Sequence, residues 1–313
     1  LVLIGDDQPR HTQLRGLVNK TFTPRRIQDL EPRIEAIVGD LLDRFEPGTV
    51  DVADALAVPL PVTVITELLG IPSADRAKFK RWSDNIINTN QGGSEEYRSQ
   101  AQEMRDYFAA KVAACRALAT TDLFGALVEA DIEGEKLSDW EIISFAALLL
   151  VAGNETTTNL ISNMLNILAG TPQLWRRLRE DRTLVEPVIE ETLRIDSPVQ
   201  ILQRVTLDEF ELNGVHLPAR ASVQVAYGAA NRDPEAFADP DEFRIDRELS
   251  RHVAFGYGIH FCLGAPLART EARIALNALL DRYATLEPGP EPGDRQRSSF
   301  IVRGFTRLPL LIS

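Results

Sequence analysis

Cysteine is scarce in this sequence, with two in 313 residues, and a disulfide framework is therefore excluded. That usage fits a reducing compartment. Long apolar runs are absent as well. The most apolar stretch, 145–152, falls far short of the ~20 residues that a membrane span needs, and Asn154 and Glu155 follow it closely. Positive charge is the scarcer sign, with 34 Lys and Arg against 46 Asp and Glu. The net charge of −12 argues against nucleic acid and anionic membrane as partners. There is no visible secretory leader, internal repeat or low-complexity tract. These absences predict a soluble, cytoplasmic protein, expected to be a monomer. A hydrophobic share of 44% suffices for one sizeable domain or two small ones.

What is present reads mostly as helix. Ile27, Leu30, Ile34, Ile37, Val38, Leu41, Leu42 and Phe45 recur at helical spacing and predict an amphipathic helix over 24–45. The polar, glycine-bearing stretch 88–94 predicts a flexible loop. Ser138-Asp139 and Gly170 bound a very apolar helix over 138–169. Shorter helices are predicted near 172–180 and 184–195. The period then changes to two. Residues 210–217 predict a hairpin turning at Asn213-Gly214, and 222–227 a further strand. Coil rich in Pro and Asp over 231–248 leads to a last helix, 264–283, with Pro266 in its first turn. The fold class is mainly α, with minor β late in the chain.

The strongest chemical signal surrounds Cys262. Gly256, Gly258 and Gly264 permit tight turns and close approach of backbone to a flat ligand. A cysteine just before a helix meets unpaired N–H groups and the positive end of the helix dipole, which favour a thiolate. A buried structural cysteine is the plainer alternative. Zinc is disfavoured, because no second cysteine lies near. Cys115 reads as an ordinary helix residue.

A second signal is the run 152–158, inside the long apolar helix. Gly153 costs ~1 kcal/mol relative to alanine, Thr156, Thr157 and Thr158 lower helix propensity, and a buried Glu155 needs a partner. The violations predict a loosened turn that holds water beside Thr156, with Glu155 as a proton source. A solvent-facing Glu155 with hydroxyls back-bonded to the helix is the equal alternative. Glu191 and Arg194 share a helix face, and their apolar flanks predict partial burial. His11 and Arg15 also share a face. Together with Arg204, His252 and His260 they are candidates to hold buried carboxylates. His216, on the hairpin, reads as exposed.

Taken in order, these features resemble the cytochrome P-450 family, its soluble bacterial branch in particular. Phe255-x-x-Gly258-x-His260-x-Cys262-x-Gly264 is similar to the family's haem-binding loop, Ala152-Gly153-x-Glu155-Thr156 to its oxygen-activation motif and Glu191-x-x-Arg194 to its structural ion pair. Asn231-Arg232-Asp233-Pro234 and Pro240-Asp241-Glu242-Phe243 resemble the coil before the cysteine loop. The likeness covers nearly the whole chain. It implies a cytochrome P-450 fold, with a long central helix over haem b (iron protoporphyrin IX), and 1–313 as a single catalytic domain.

The resemblance also implies roles. Cys262 becomes the axial ligand of the iron, and Glu155 and Thr156 the acid–alcohol pair. His11, Arg15, Arg204, His252 and His260 would hold the haem propionates, while Ala152, Phe255, Gly256 and Gly264 lie against the cofactor. Segments 148–152, 199–203 and 300–305 match pocket walls, and 79–90 matches part of a mobile lid. The implied reaction inserts one oxygen atom from O2 into a small apolar organic substrate, by hydroxylation or epoxidation. Electrons come from NAD(P)H through a reductase and a ferredoxin or flavodoxin. Arg269 and Arg273 would offer that donor a basic patch, or else be ordinary solvated charges. A peroxide-driven peroxygenase and a non-catalytic haem-binding partner protein are the rival readings. Two departures stand out. The family's N-terminal portion before the helix of His11 is missing, so the chain reads as truncated there. Glu242 stands where many members carry an arginine that joins Glu191 and Arg194, and Arg244, Arg247 or nothing would take its place.

Overall fold

Ser138 starts the helix that organises the chain. Its hydroxyl accepts the Glu141 backbone N–H at 3.3 Å, and the Glu141 carboxylate accepts the Ser138 backbone N–H at 2.9 Å, a reciprocal cap. In the computed structural model, which describes residues 2–19, 22–88, 93–118, 123–132, 134–248 and 251–313, this helix runs unbroken over Asp139–Ala169.

In chain order the helices are α1 (Arg10–Asn19), α2 (Pro24–Leu42), α3 (Pro59–Leu68), α4 (Arg76–Ile87), α5 (Glu95–Ala117), α6 (Leu123–Glu129), α7 (Asp139–Ala169), α8 (Pro172–Glu180), α9 (Val185–Ile195), the one-turn α10 (Tyr227–Ala230) and α11 (Ala265–Arg282). Prolines at the first turns of α2, α3, α8 and α11 sit where no intrahelical N–H is needed. Helix accounts for 57% of residues and strand for 12%, so the mainly-α reading holds. The helices over 24–45, 138–169, 172–180, 184–195 and 264–283 all stand within a few residues of their sequence-based bounds. The predicted loop over 88–94 falls largely on 89–92, outside the described residues.

Strands β1 (Gly48–Asp51), β2 (Asp131–Ile132), β3 (Glu135–Lys136), β4 (Leu202–Val205), β5 (Phe210–Leu212), β6 (Val215–Leu217), β7 (Ser222–Val225), β8 (Leu286–Pro288), β9 (Asp294–Arg295), β10 (Phe305–Arg307) and β11 (Pro309–Ile312) form small antiparallel sheets. β11 lies between β1 and β8, with Gly48 opposite Ile312. The predicted hairpin is β5–β6. Asn213 and Gly214 both take positive φ, 51° and 78°, as its two-residue turn requires. β7 pairs with β4, which places Arg204 opposite Val223.

The core is built around α7. Ile142, Phe145, Leu160, Met164 and Leu168 are buried along it. Phe79, Trp82 and Phe108 form an aromatic cluster between α4 and α5. Full burial of such side chains contributes roughly 1.5–3 kcal/mol each. Gly153 corrects the expectation of a loosened turn. A Cβ there would stand 3.0 Å from Ile65 Cδ1, so the glycine lets α3 pack close while α7 stays regular. Among the described residues no helix is long and apolar enough to cross a membrane.

Candidate functional site

The route to Cys262 begins at a buried ion pair. Arg194 and Glu191 are fully buried and bidentate, at 2.7 and 2.8 Å. The guanidinium also donates to the carbonyls of Asn231 (2.9 Å), Pro240 (2.7 Å) and Glu242 (3.0 Å). Arg247 Nε lies 3.2 Å from Glu191 Oε1, and the Arg244 backbone N–H donates to the same oxygen at 2.8 Å. Arg247 is thus the third side chain of the network, and Glu242 contributes only its carbonyl. The buried Asn231 amide donates to Ser197 Oγ (2.8 Å) and accepts the Val253 N–H (2.7 Å), which fixes the start of the cysteine loop.

Within the loop, Gly256 and Gly258 take φ of 73° and 74°, values that disfavour any other residue. The Cys262 N–H donates to the Phe255 carbonyl at 2.9 Å and folds the loop back on itself. Cys262 stands at the entry to α11, where the nearby Gly264 and Ala265 N–H groups favour the ionised sulfur. Burial pushes the thiol up from its ordinary value, and those amides, Arg15 and Arg269 offset only part of the shift. The predicted helix-terminus effect is present, but burial outweighs it in the free thiol.

Four cationic or donor side chains gather beside the cysteine loop. The rings of His11 and His260 are 4.3 Å apart. Arg15 donates to the Phe261 carbonyl at 2.8 Å. Arg204 Nη2 lies 3.4 Å from the Tyr227 hydroxyl. Burial, followed by the neighbouring positive charges, lowers the pKa of both imidazoles; Arg204 acts on His260, and Arg15 on both. His11 Nε2 is buried with no partner among the described residues.

His252 does not join this group. Its Nε2 lies 2.9 Å from Glu190 Oε2, and its Nδ1 accepts the Ala254 N–H at 3.3 Å, so both ring nitrogens are engaged within the protein. Arg269 completes that cluster, bidentate to Glu190 at 2.6 and 2.8 Å and 4.5 Å over the Phe255 ring. Burial raises the Glu190 pKa, but the bonds from Arg269 and His252 win and hold it at about 2. Arg273 is paired with Glu31 at 2.7 Å. Both arginines of the suggested basic patch thus carry a carboxylate partner.

On α7, Glu155 and Thr156 fall on different sides of the helix. Thr156 Oγ1 donates to the Ala152 carbonyl at 2.8 Å, the back-bonded alternative, and Ala152 and Thr156 lie on the more open face. Glu155 is not solvent-facing: it is 8% exposed and lies 3.1 Å from Lys80 Nζ, on α4. Lys80 also bonds Asp84. Burial raises the Glu155 carboxyl to about 7, with Lys80 pulling against the shift and Asp84 adding to it. Lys80, Glu190 and Tyr227 carry no sequence pattern that marks them as parts of a site. Cys115 is a buried residue of α5.

The cytochrome P-450 family profile matches residues 56–311. Cytochrome P-450 107B1 of Saccharopolyspora erythraea is 45% identical over 98% of this chain and 76% of its own length. The cytochrome P-450 monooxygenase PikC of Streptomyces venezuelae is 41% identical over 98% of this chain and 75% of its own length. A mutant of P-450 EryK, solved in complex with erythromycin B, superposes with a TM-score of 0.94 at 36% identity, covering 99% of this chain and 81% of that one. The chain belongs to the cytochrome P-450 family of haem-iron monooxygenases.

Proposed function

We propose that this protein binds haem b through Cys262 and hydroxylates or epoxidises an apolar organic substrate. One observation carries the reading: a thiol under two amides at a helix start shares its surroundings with His11, Arg15, Arg204 and His260. A flat iron group with two carboxylates matches that donor set, and the unpartnered His11 Nε2 is a site one carboxylate would satisfy. Phe255, Gly256 and Gly264 let the loop backbone approach the group's face, and Ala152 leaves room on α7. Bound haem supplies dioxygen activation at a thiolate-ligated iron and the transfer of one oxygen atom.

The remaining roles belong to the chain. The Gly264 and Ala265 amides temper the charge on the Cys262 sulfur. Glu155, with its carboxyl near neutrality, gives and regains a proton at working pH. Thr156 spends its own proton on the Ala152 carbonyl and so presents acceptor lone pairs on the open face of α7. His252 acts through Glu190 as a positioning residue for the loop.

The pocket walls support an apolar substrate. Val199 pairs with Val302, and the Gln200 N–H donates to the Ile301 carbonyl at 2.7 Å, so 199–203 and 300–305 meet. The polar side chains there are already engaged, Gln200 with the Ser197 carbonyl, Gln203 with Ser222 and Arg303 with Asp196. Relatives named as a 6-deoxyerythronolide B hydroxylase and a polyketide biosynthesis cytochrome support a polyketide as substrate and a role in secondary metabolism. A ferredoxin or flavodoxin, reduced from NAD(P)H, would dock over the exposed loop residues Tyr257 and Ile259. The same reading makes this one catalytic domain of a monomeric, cytoplasmic enzyme.

Carbon monoxide tests it. Reduced holoprotein is expected to show the red-shifted band of thiolate coordination, and Cys262→Ser to abolish it. An unaltered spectrum in that variant rejects the assignment.

A further inference from the structure

Tyr227 begins α10 directly after β7, and its side chain is buried. Its hydroxyl accepts a hydrogen bond from Arg204 Nη2 at 3.4 Å. The same oxygen lies beside the cysteine loop, because a Cβ on Gly256 would stand 3.9 Å from it. The phenol therefore sits between the β4 arginine and the loop that leads to Cys262. Phenylalanine would fill the same volume, so it is the hydroxyl that calls for an explanation.

A phenol offers one proton and accepts through its oxygen lone pairs. Arg204 uses the acceptor side, and among the described residues the proton finds no acceptor. Buried donors are seldom left unpaired. Arg204 spends one further N–H on the Gln203 carbonyl at 2.9 Å, and neither of these contacts neutralises its charge. An anion beside Tyr227 would satisfy both groups at once. It would take the phenol proton and lie against the guanidinium.

We propose that Tyr227 is a further cofactor-positioning residue. Its phenol donates to a haem carboxylate, while its oxygen holds Arg204 in place for that same carboxylate. The inference rests on the haem reading above and goes beyond the residues that the cysteine-loop and helix motifs mark.

The test compares wild type with Tyr227→Phe, each loaded either with haem or with haem dimethyl ester, whose carboxylates carry no charge. Cofactor loss to excess apomyoglobin is followed in the Soret region. Haem is expected to leave Tyr227→Phe roughly tenfold faster than wild type, since a hydrogen bond to a charged group is lost. The ester, whose carbonyl oxygens accept only a neutral hydrogen bond, is expected to be accelerated clearly less by the substitution. The reduced carbon monoxide band should keep its wild-type position in the variant, because the sulfur ligand is untouched. Equal haem loss from both proteins overturns the inference. So does equal acceleration for haem and ester, which would mean that the hydroxyl serves packing alone. A wild-type holoprotein without the thiolate band would instead remove the haem reading itself.

Discussion

Lys80 Nζ stands 3.1 Å from Glu155 Oε1 and joins α4 to the middle of α7. The same ammonium also bonds Asp84, so two carboxylates share one cation. Burial nonetheless dominates at Glu155 and raises its carboxyl to about 7.

The protonated form of Glu155 therefore prevails below neutrality. The ratio of product formed to O2 consumed is expected to fall as pH rises through about 7. Glu155→Gln should remove that step. Lys80→Met withdraws the cation that pulls the carboxyl down and should move the step to higher pH. In stability, a raised native pKa favours folding below the unfolded value of ~4.3 and loses that contribution as pH climbs. The Tm of wild type relative to Glu155→Gln should accordingly decline between pH ~4.3 and about 7. A flat difference rejects the titration.

Thr156→Ala removes a hydroxyl whose structural bond is to the Ala152 carbonyl of its own helix. Fold and cofactor content should survive. Product per NAD(P)H should drop by roughly 10²-fold, the scale of a lost proton-transfer group, while peroxide release continues. Unchanged product yield would exclude a proton-delivery role.

Arg194→Met strands the Glu191 carboxylate in the core and frees three carbonyls. A loss of about 3–5 kcal/mol is expected in urea unfolding. Arg247→Met leaves the pair intact and should cost about 1–3 kcal/mol. Equal losses would mean that the two arginines are interchangeable.

Gly304 packs directly against Asn159 of α7, and a Cβ there would overlap the Asn159 amide. Gly304→Ala is expected to lose about 1–3 kcal/mol by overpacking. Adding Asn159→Ala should recover much of that loss, a coupling that a double-mutant cycle reads directly.

Much of this arrangement is legible before folding. The α7 cap at Ser138, the period of α2 and the Asn213-Gly214 turn are local signals, and local physics decides them. The glycines around Cys262 announce their turns for the same reason. The short strands do not: β1 has four residues and meets β11 at the far end of the chain. Gly153 reads locally as a helix breaker, yet contact with Ile65 makes it a packing residue. His252 reads as a carboxylate ligand and is one, but for Glu190 of the protein itself, a neighbour that only the folded chain brings near. Lys80 likewise meets Glu155 only across two packed helices.

Coil is ordinarily where chains gain and lose residues freely. The stretch from Asn231 to Arg247 forfeits that latitude, because Arg194 grips its carbonyls at three separate points and Glu191 takes hold of its far end. An inserted residue there would slip every later grip by one position and misplace the thiol that follows. This irregular segment works as a ruler, and its length is as constrained as that of any helix in the molecule.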